Sequence, residues 1–268
     1  MESTRGDRLY AAVEDDVRAQ IDVIEVFPEI DSTNSYLLSQ PAPANGRCRV
    51  ALADHQTAGR GQRGNTWESP RHSGLYLSCA YTFSAAPPNF SCLTLAIGIE
   101  VAEALIGLGA NCKLKWPNDL ILHNGKLGGI LTEAYGGSED ATTIVVGIGI
   151  NLDLGERRDS ITSSIGRVSD LRQSISELPD REEIAIPIIE HAVAAFTEFA
   201  ASGFSRFHER WQEFDWLADK AVRVTTANGD LDGAASGIDN DGAFLLQRNN
   251  KVERIVSGTV TLSQVVGE

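Results

Sequence analysis

Apolar residues recur along this chain with two different periods, and the places where the period switches outline its elements. Residues 9–20 read as a helix, and Ile21 to Phe27 alternates as a strand before Pro28. Asp31-Ser32-Thr33-Asn34 opens another helix. Strand-like runs follow near 48–54, 75–83, 112–122, 126–135 and 142–150, while Leu93, Ile97, Val101, Ala104 and Leu108 give 90–108 a helical spacing. A polar passage at 158–175 leads into helices at 181–202 and 204–216. Strands outnumber helices, which predicts an α+β fold with a mixed sheet flanked by helices. After Leu217 the texture changes to short alternating strands. They are parted by turn signals at Asn228-Gly229-Asp230, Asp239-Asn240-Asp241-Gly242 and Asn249-Asn250, the pattern of a small β-barrel. The expected domains are 1–217 and 218–268.

Composition narrows the function. A net charge of −14 disfavours a protein whose main task is to hold nucleic acid, so any anionic ligand must meet a local basic site. The N-terminus lacks the pattern of a secretory signal, and Glu100 and Glu103 interrupt the longest apolar stretch, Leu93 to Leu108. The expectation is a cytoplasmic protein with no membrane segment. Cys48, Cys79, Cys92 and Cys112 form no C-x-x-C pair and lie in apolar runs, as buried reduced thiols do.

Four stretches carry candidate chemistry. Asp31-Ser32-Thr33-Asn34 suits a helix cap, and equally a set of donors for a polar ligand group. Gln56 to Trp67 packs three glycines and two arginines, Arg60 and Arg63, into a loop able to cover a phosphate or carboxylate or to remain solvated. No Lys-Ser or Lys-Thr follows these glycines, so this is not a Walker-type loop. Lys113 to Leu120, the turn His123-Asn124-Gly125, and Lys126 to Leu131 form a hairpin that could bring Lys115, Asp119 and Lys126 together. In Val145 to Asn151, Gly147 and Gly149 thin a strand either for a ligand or for packing alone.

Taken in order, D-S-T-N, Q-T-A-G-R-G-Q-R-G-N-T-W, L-Y-L-S (Leu75 to Ser78), K-W-P-N-D-L, K-L-G-G-I-L and G-I-G-I-N resemble the motifs of biotin–protein ligases. The resemblance spans about residues 21 to 262 and includes the C-terminal β module. It implies a class II synthetase-like catalytic domain, with a small SH3-like β-barrel behind it. The implied activity makes biotinyl-5'-AMP from biotin and ATP with Mg2+, then passes biotin to a lysine of a biotin carboxyl carrier protein, from a monomer or a homodimer. By the same resemblance, Ser32, Thr33, Asn34 and Gln56 hold the ureido end of biotin. Arg60, Gly61 and Gln62 belong to the loop that closes over biotin and the adenylate, and Trp67 packs near the ligand. Lys126 stands beside the reacting carboxylate and phosphate and is, with Arg60, catalytic. Gly129 and Leu131 line the biotin pocket. Arg63, Lys115, Asn118, Asp119 and Asn151 fall on the nucleotide side, with Asp119 as the magnesium ligand and the candidate base for the incoming lysine.

The loop departs from the family pattern in one respect. Many members read G-R-G-R-x-G-R, whereas Gln62 and Asn65 stand here for the second and third arginines. Less positive charge then holds the adenylate, and more of that task falls to Arg60. Larger members carry an N-terminal winged-helix domain. The 30 residues before Asp31 are too few for one, so no DNA partner is expected. Two alternatives are a lipoate or octanoyl ligase of the same fold and a non-catalytic biotin-responsive regulator. The first would need other glycine and lysine motifs, the second a DNA-binding segment or the loss of Arg60 or Lys126.

Overall fold

The first helical run divides. In the computed structural model, which describes residues 4–87, 89–138, 141–161, 163 and 166–263, it forms α1 (Arg5–Ala12) and α2 (Asp15–Arg18). Val13 and Glu14 have non-helical backbone, and Leu9 and Val13 are both in the core. Asp15 and Asp16 then place negative charge at the start of α2. Next come β1 (Ile21–Phe27), α3 (Thr33–Ser39), β2 (Cys48–Ala53), β3 (Gly74–Phe83) and α4 (Leu93–Gly107).

The run expected as one strand at 112–122 is two, β4 (Lys113–Lys115) and β5 (Asp119–Leu122), paired with each other. Pro117 lies in the turn between them, where a residue without an N–H does not interrupt a ladder. The long pair β6 (Gly125–Ser138) and β7 (Ala141–Asn151) follows, then α5 (Arg181–Ser202) and α6 (Ser205–Phe214). At the β5–β6 turn the left-handed residues are His123 and Asn124, with φ of 48° and 59°. Gly125 already belongs to β6 and is small for another reason, since a Cβ there would meet the Val168 backbone at 3.0 Å.

Seven strands form one sheet in the order β1-β2-β3-β7-β6-β5-β4, parallel at β1–β2 and antiparallel elsewhere. Side chains alternate between its faces. One face carries Val50, Cys79 and Val146 into the main core beneath α4 and α5, where Tyr81 stacks on Phe196 at 4.9 Å. The other carries Ala51, Ala80 and Val145 against Leu37 of α3. Segments 90–107 and 181–202 are long and apolar enough to cross a membrane. Their apolar residues, among them Ile97, Ile188 and Phe196, lie in the common core. All four cysteines are buried free thiols.

Five strands form the C-terminal unit: β8 (Ala221–Thr226), β9 (Gly229–Ile238), β10 (Phe244–Arg248), β11 (Lys251–Ile255) and β12 (Thr259–Leu262). They pair antiparallel in the order β11-β10-β9-β8-β12. Trp116 ties this unit to the larger sheet, since its Nε1 donates to the Gly242 carbonyl at 3.0 Å and its ring packs on Phe244.

Candidate active site

On the α3 side of the large sheet, rows of paired residues define a cleft floor. Ser78, Gly147 and Leu131 stand in one row of β3, β7 and β6; Tyr76, Gly149, Gly129, Asp119 and Lys115 continue across the next. The glycines have separate causes. A Cβ at Gly147 would lie 2.3 Å from Asn34 Oδ1, and one at Gly149 would lie 2.7 Å from the Trp67 ring. Both make room for side chains that themselves line the cleft. The cleft, open solvent at its mouth included, spans about 930 Å³.

At one end the groups are polar and uncharged. Ser32 caps α3, its Oγ accepting from Ser35 N at 3.4 Å, and it is buried at the cleft wall, so it both caps the helix and lines the site. Gln56 Oε1 accepts the Thr33 backbone N–H at 2.9 Å, and Gln56 Nε2 donates to Ser69 Oγ. Thr33 and Asn34 connect through Ser78.

At the other end, Asp119 holds two ammonium groups, Lys115 Nζ at 2.8 Å and Lys126 Nζ at 2.6 Å. Burial pushes the Asp119 carboxyl up, but the charges of Lys126 and Lys115 outweigh it and hold it below the usual carboxylate range. Two cations against one anion leave this corner of an acidic protein positive. A β-bulge brings Lys126 here: the β5–β6 register shifts between Leu120 and Ile121, so that Ile121 faces Lys126 while Asp119 faces Gly129. Without the extra residue at Leu127, position 126 would point to the face opposite 129 and 131. Lys126 Nζ also lies 5.7 Å from the Trp67 ring centre.

The glycine-rich loop covers the floor. Its ends pair through Arg60 and Thr66, and Gly61 N donates to Asn65 O at 2.7 Å. Arg60 Nη2 donates to Glu133 Oε1 at 2.7 Å. Arg63 turns to the C-terminal unit, donating to Thr259 Oγ1 at 2.7 Å and Ser257 Oγ at 3.4 Å. Trp67 Nε1 is buried with no hydrogen-bond partner.

Comparison with known proteins agrees with this geometry. Residues 26–151 match the model of the biotin/lipoate A/B protein ligase family, and residues 219–263 match the biotin protein ligase C terminal domain. The bifunctional ligase/repressor BirA of Escherichia coli is 35% identical over 240 residues, spanning 89% of this chain and 74% of that protein. The chain belongs to the biotin protein ligase family. The biotin–[acetyl-CoA-carboxylase] ligase of Mycobacterium tuberculosis is 28% identical, over 88% of each chain. The biotin protein ligase of Aquifex aeolicus, solved in complex with biotin and ATP, superposes with a TM-score of 0.76 at 27% identity, covering 90% of this chain and 98% of that one.

In the ligase, the cleft gathers Ser32, Thr33, Asn34, Gln56, Arg60, Gly61, Gln62, Arg63, Trp67, Lys115, Asn118, Asp119, Lys126, Gly129 and Leu131. Asn151 lies in an adjoining cavity with Trp67, Lys126 and Val168, its Nδ2 donating to Ser169 O at 3.0 Å. Asn118 is tied to β6, its Nδ2 donating to Ile130 O at 3.0 Å. Sequence reasoning missed Glu133, Ser78 as a contact, and Gly258 and Thr259 of the C-terminal unit. Glu133 was within reach, because on a strand it shares the face of Leu131 two residues before it. Thr259 was not, since only the docking of two separate sheets brings it to the cleft.

Proposed function

We propose that this cleft joins biotin to ATP along the face described, with the ureido ring at Thr33, Asn34 and Gln56 and the carboxylate at Lys126. The observation that carries the reading is one continuous floor with neutral hydrogen-bonding groups at one end and a Lys115–Asp119–Lys126 cluster at the other. A ligand with a polar uncharged head and an anionic tail matches that order. Gly129 and Leu131 form the apolar stretch between.

A biotin carboxylate oxygen attacks the α-phosphorus of ATP and pyrophosphate leaves, giving a mixed anhydride. Lys126 and Arg60 offset charge on the carboxylate and the α-phosphoryl oxygens, so the step rests on position and electrostatics. Asp119 holds both lysines in place. With both oxygens occupied and its proton affinity depressed, it is a poor base for the second step. A magnesium ligand at Asp119 would have to displace an ammonium group. We therefore assign Mg2+ to the ATP phosphates, where it supplies charge neutralisation for the leaving pyrophosphate. In the second step a carrier lysine, entering as the free amine, attacks the acyl carbon and AMP departs. The loop from Gly59 to Trp67 excludes water that would hydrolyse the anhydride.

The acceptor is proposed as the carrier domain of acetyl-CoA carboxylase in the cytoplasm, following the relatives that bear that name. The test is incubation of the ligase with ATP, Mg2+, labelled biotin or labelled lipoate, and a biotin carrier domain. Label on the carrier from biotin is expected. Transfer from lipoate and not from biotin would overturn the reading.

A further inference from the structure

The Thr33–Asn34 end of the cleft contains a chain of hydrogen bonds whose direction Glu133 sets, with the Leu131 carbonyl accepting from the same Asn34 Nδ2 at a longer 3.5 Å. Glu133 on β6 accepts from Arg60 Nη2 at 2.7 Å on Oε1 and from Asn34 Nδ2 at 2.9 Å on Oε2. A carboxylate can only accept, so Asn34 must turn its NH2 toward Glu133 and its Oδ1 the other way. That Oδ1 lies 2.6 Å from Ser78 Oγ, which spends its single hydrogen there. Thr33 Oγ1 lies 2.7 Å from Ser78 Oγ and must be the donor in that contact. Its hydrogen is then not free for Gln56 Oε1, 3.2 Å away. Asn34, Ser78 and Thr33 are 3%, 0% and 3% exposed, so bulk water does not compete to reverse any link. Thr33, which lines the cleft, is left offering lone pairs and no hydrogen.

We propose that Glu133 is the positioning residue that polarises this chain, and that it thereby makes the cleft selective for a ring bearing N–H donors. The inference deepens the reading above and rests on its placing the ureido ring at Thr33. A ring without N–H groups leaves the Thr33 acceptor buried and unpaired, the arrangement by which sites reject analogues that lack a hydrogen-bonding group. Glutamine at 133 has nearly the same shape but one NH2. Turned to Asn34, that NH2 forces the amide over and reverses the chain; turned to Arg60, it opposes a guanidinium. It cannot serve both contacts.

The experiment is calorimetric titration of the full chain and of E133Q, E133D, S78A and E133Q/S78A. The ligands are biotin and biotin methylated at one ureido nitrogen, and each variant's melting temperature and KM for ATP are also measured. E133Q is expected to bind biotin at least tenfold more weakly and to lose most of the preference for biotin over the methylated analogue. E133D keeps two acceptor oxygens and is expected to recover much of that preference, which separates polarity from a folding defect. In the S78A background the further effect of E133Q is expected to fall below twofold, because the relay is already cut. Biotin affinity within twofold of wild type in E133Q, or an undiminished E133Q effect on S78A, would overturn the inference alone. Failure of the unaltered chain to bind biotin at all would overturn the ligase reading with it.

Discussion

Lys126 Nζ lies 2.6 Å from Asp119 Oδ1, although the two residues do not face each other in the strand register. The bulge on β6 lets a lysine with the wrong phase reach a carboxylate buried under the cleft. The arrangement leaves Lys126 partly exposed at the cleft and Lys115 buried at 2% exposure as a fixed countercharge.

Lys126→Ala is expected to lower the rate of adenylate formation by about 10²–10³, the usual effect of removing one preorganised charge stabiliser. The chain should stay folded. Biotin-dependent exchange of pyrophosphate into ATP measures this step without the carrier, and activity near wild type would remove Lys126 from the mechanism. Asp119→Asn leaves two ammonium groups without their shared anion and is expected to cost about 3–5 kcal/mol in denaturant unfolding.

Gly147→Ala puts a methyl group 2.3 Å from Asn34 Oδ1, so the buried Asn34 side chain has to move. Displacing Asn34 is expected to cost about 1–3 kcal/mol of stability and to weaken biotin binding roughly tenfold. Thermal melts and calorimetry read the two effects separately. Unchanged affinity would mean that Asn34 does not shape the site.

Gln62→Arg restores a charge in the loop over the cleft. One new charge-assisted hydrogen bond to the adenylate is expected to slow its release roughly tenfold or more. Stopped-flow fluorescence, with Trp67 near the ligand, follows dissociation of preformed biotinyl-5'-AMP. An unchanged off-rate would show that Gln62 already makes an equivalent contact.

Away from the cleft, His191 Nδ1 lies 2.7 Å from Glu100 Oε2, and Arg210 bridges Glu100 and Glu103. The hydrogen bond to Glu100 raises the His191 pKa, against a smaller opposing effect of burial. A folded value above the unfolded one stabilises fully below the unfolded value near 6.5, and that stability is lost as pH rises through the folded value. Burial pushes the Glu100 carboxyl up, but its hydrogen bonds to His191 and Arg210 and their charges leave it low, so its share disappears only on the acid side. His191→Gln is therefore expected to melt below wild type at about pH 6, with the gap closing by about pH 9. A gap constant with pH would show that His191 contributes by packing alone.

The order of elements and the motifs were legible in the sequence because they are local. Strand alternation marked β3 and β7, helical spacing marked α4 and α5, and K-W-P-N-D with K-L-G-G-I-L marked the charged end of the cleft. The sequence also pointed to Lys115, Asp119 and Lys126 as neighbours. Tertiary structure decided what each does. A bulge, invisible to period counting, chose the face of Lys126. The packing on the sheet of Asn34 from α3 and of the Trp67 ring from the glycine-rich loop explained why Gly147 and Gly149 lack side chains. The docking of the C-terminal unit turned Arg63 toward Thr259. Glu133 carries no motif because its importance comes from joining Arg60 and Asn34, residues 73 and 99 positions away in the chain. Local patterns record what a residue does to its own neighbours in the chain; contacts at that separation exist only once the sheet has formed.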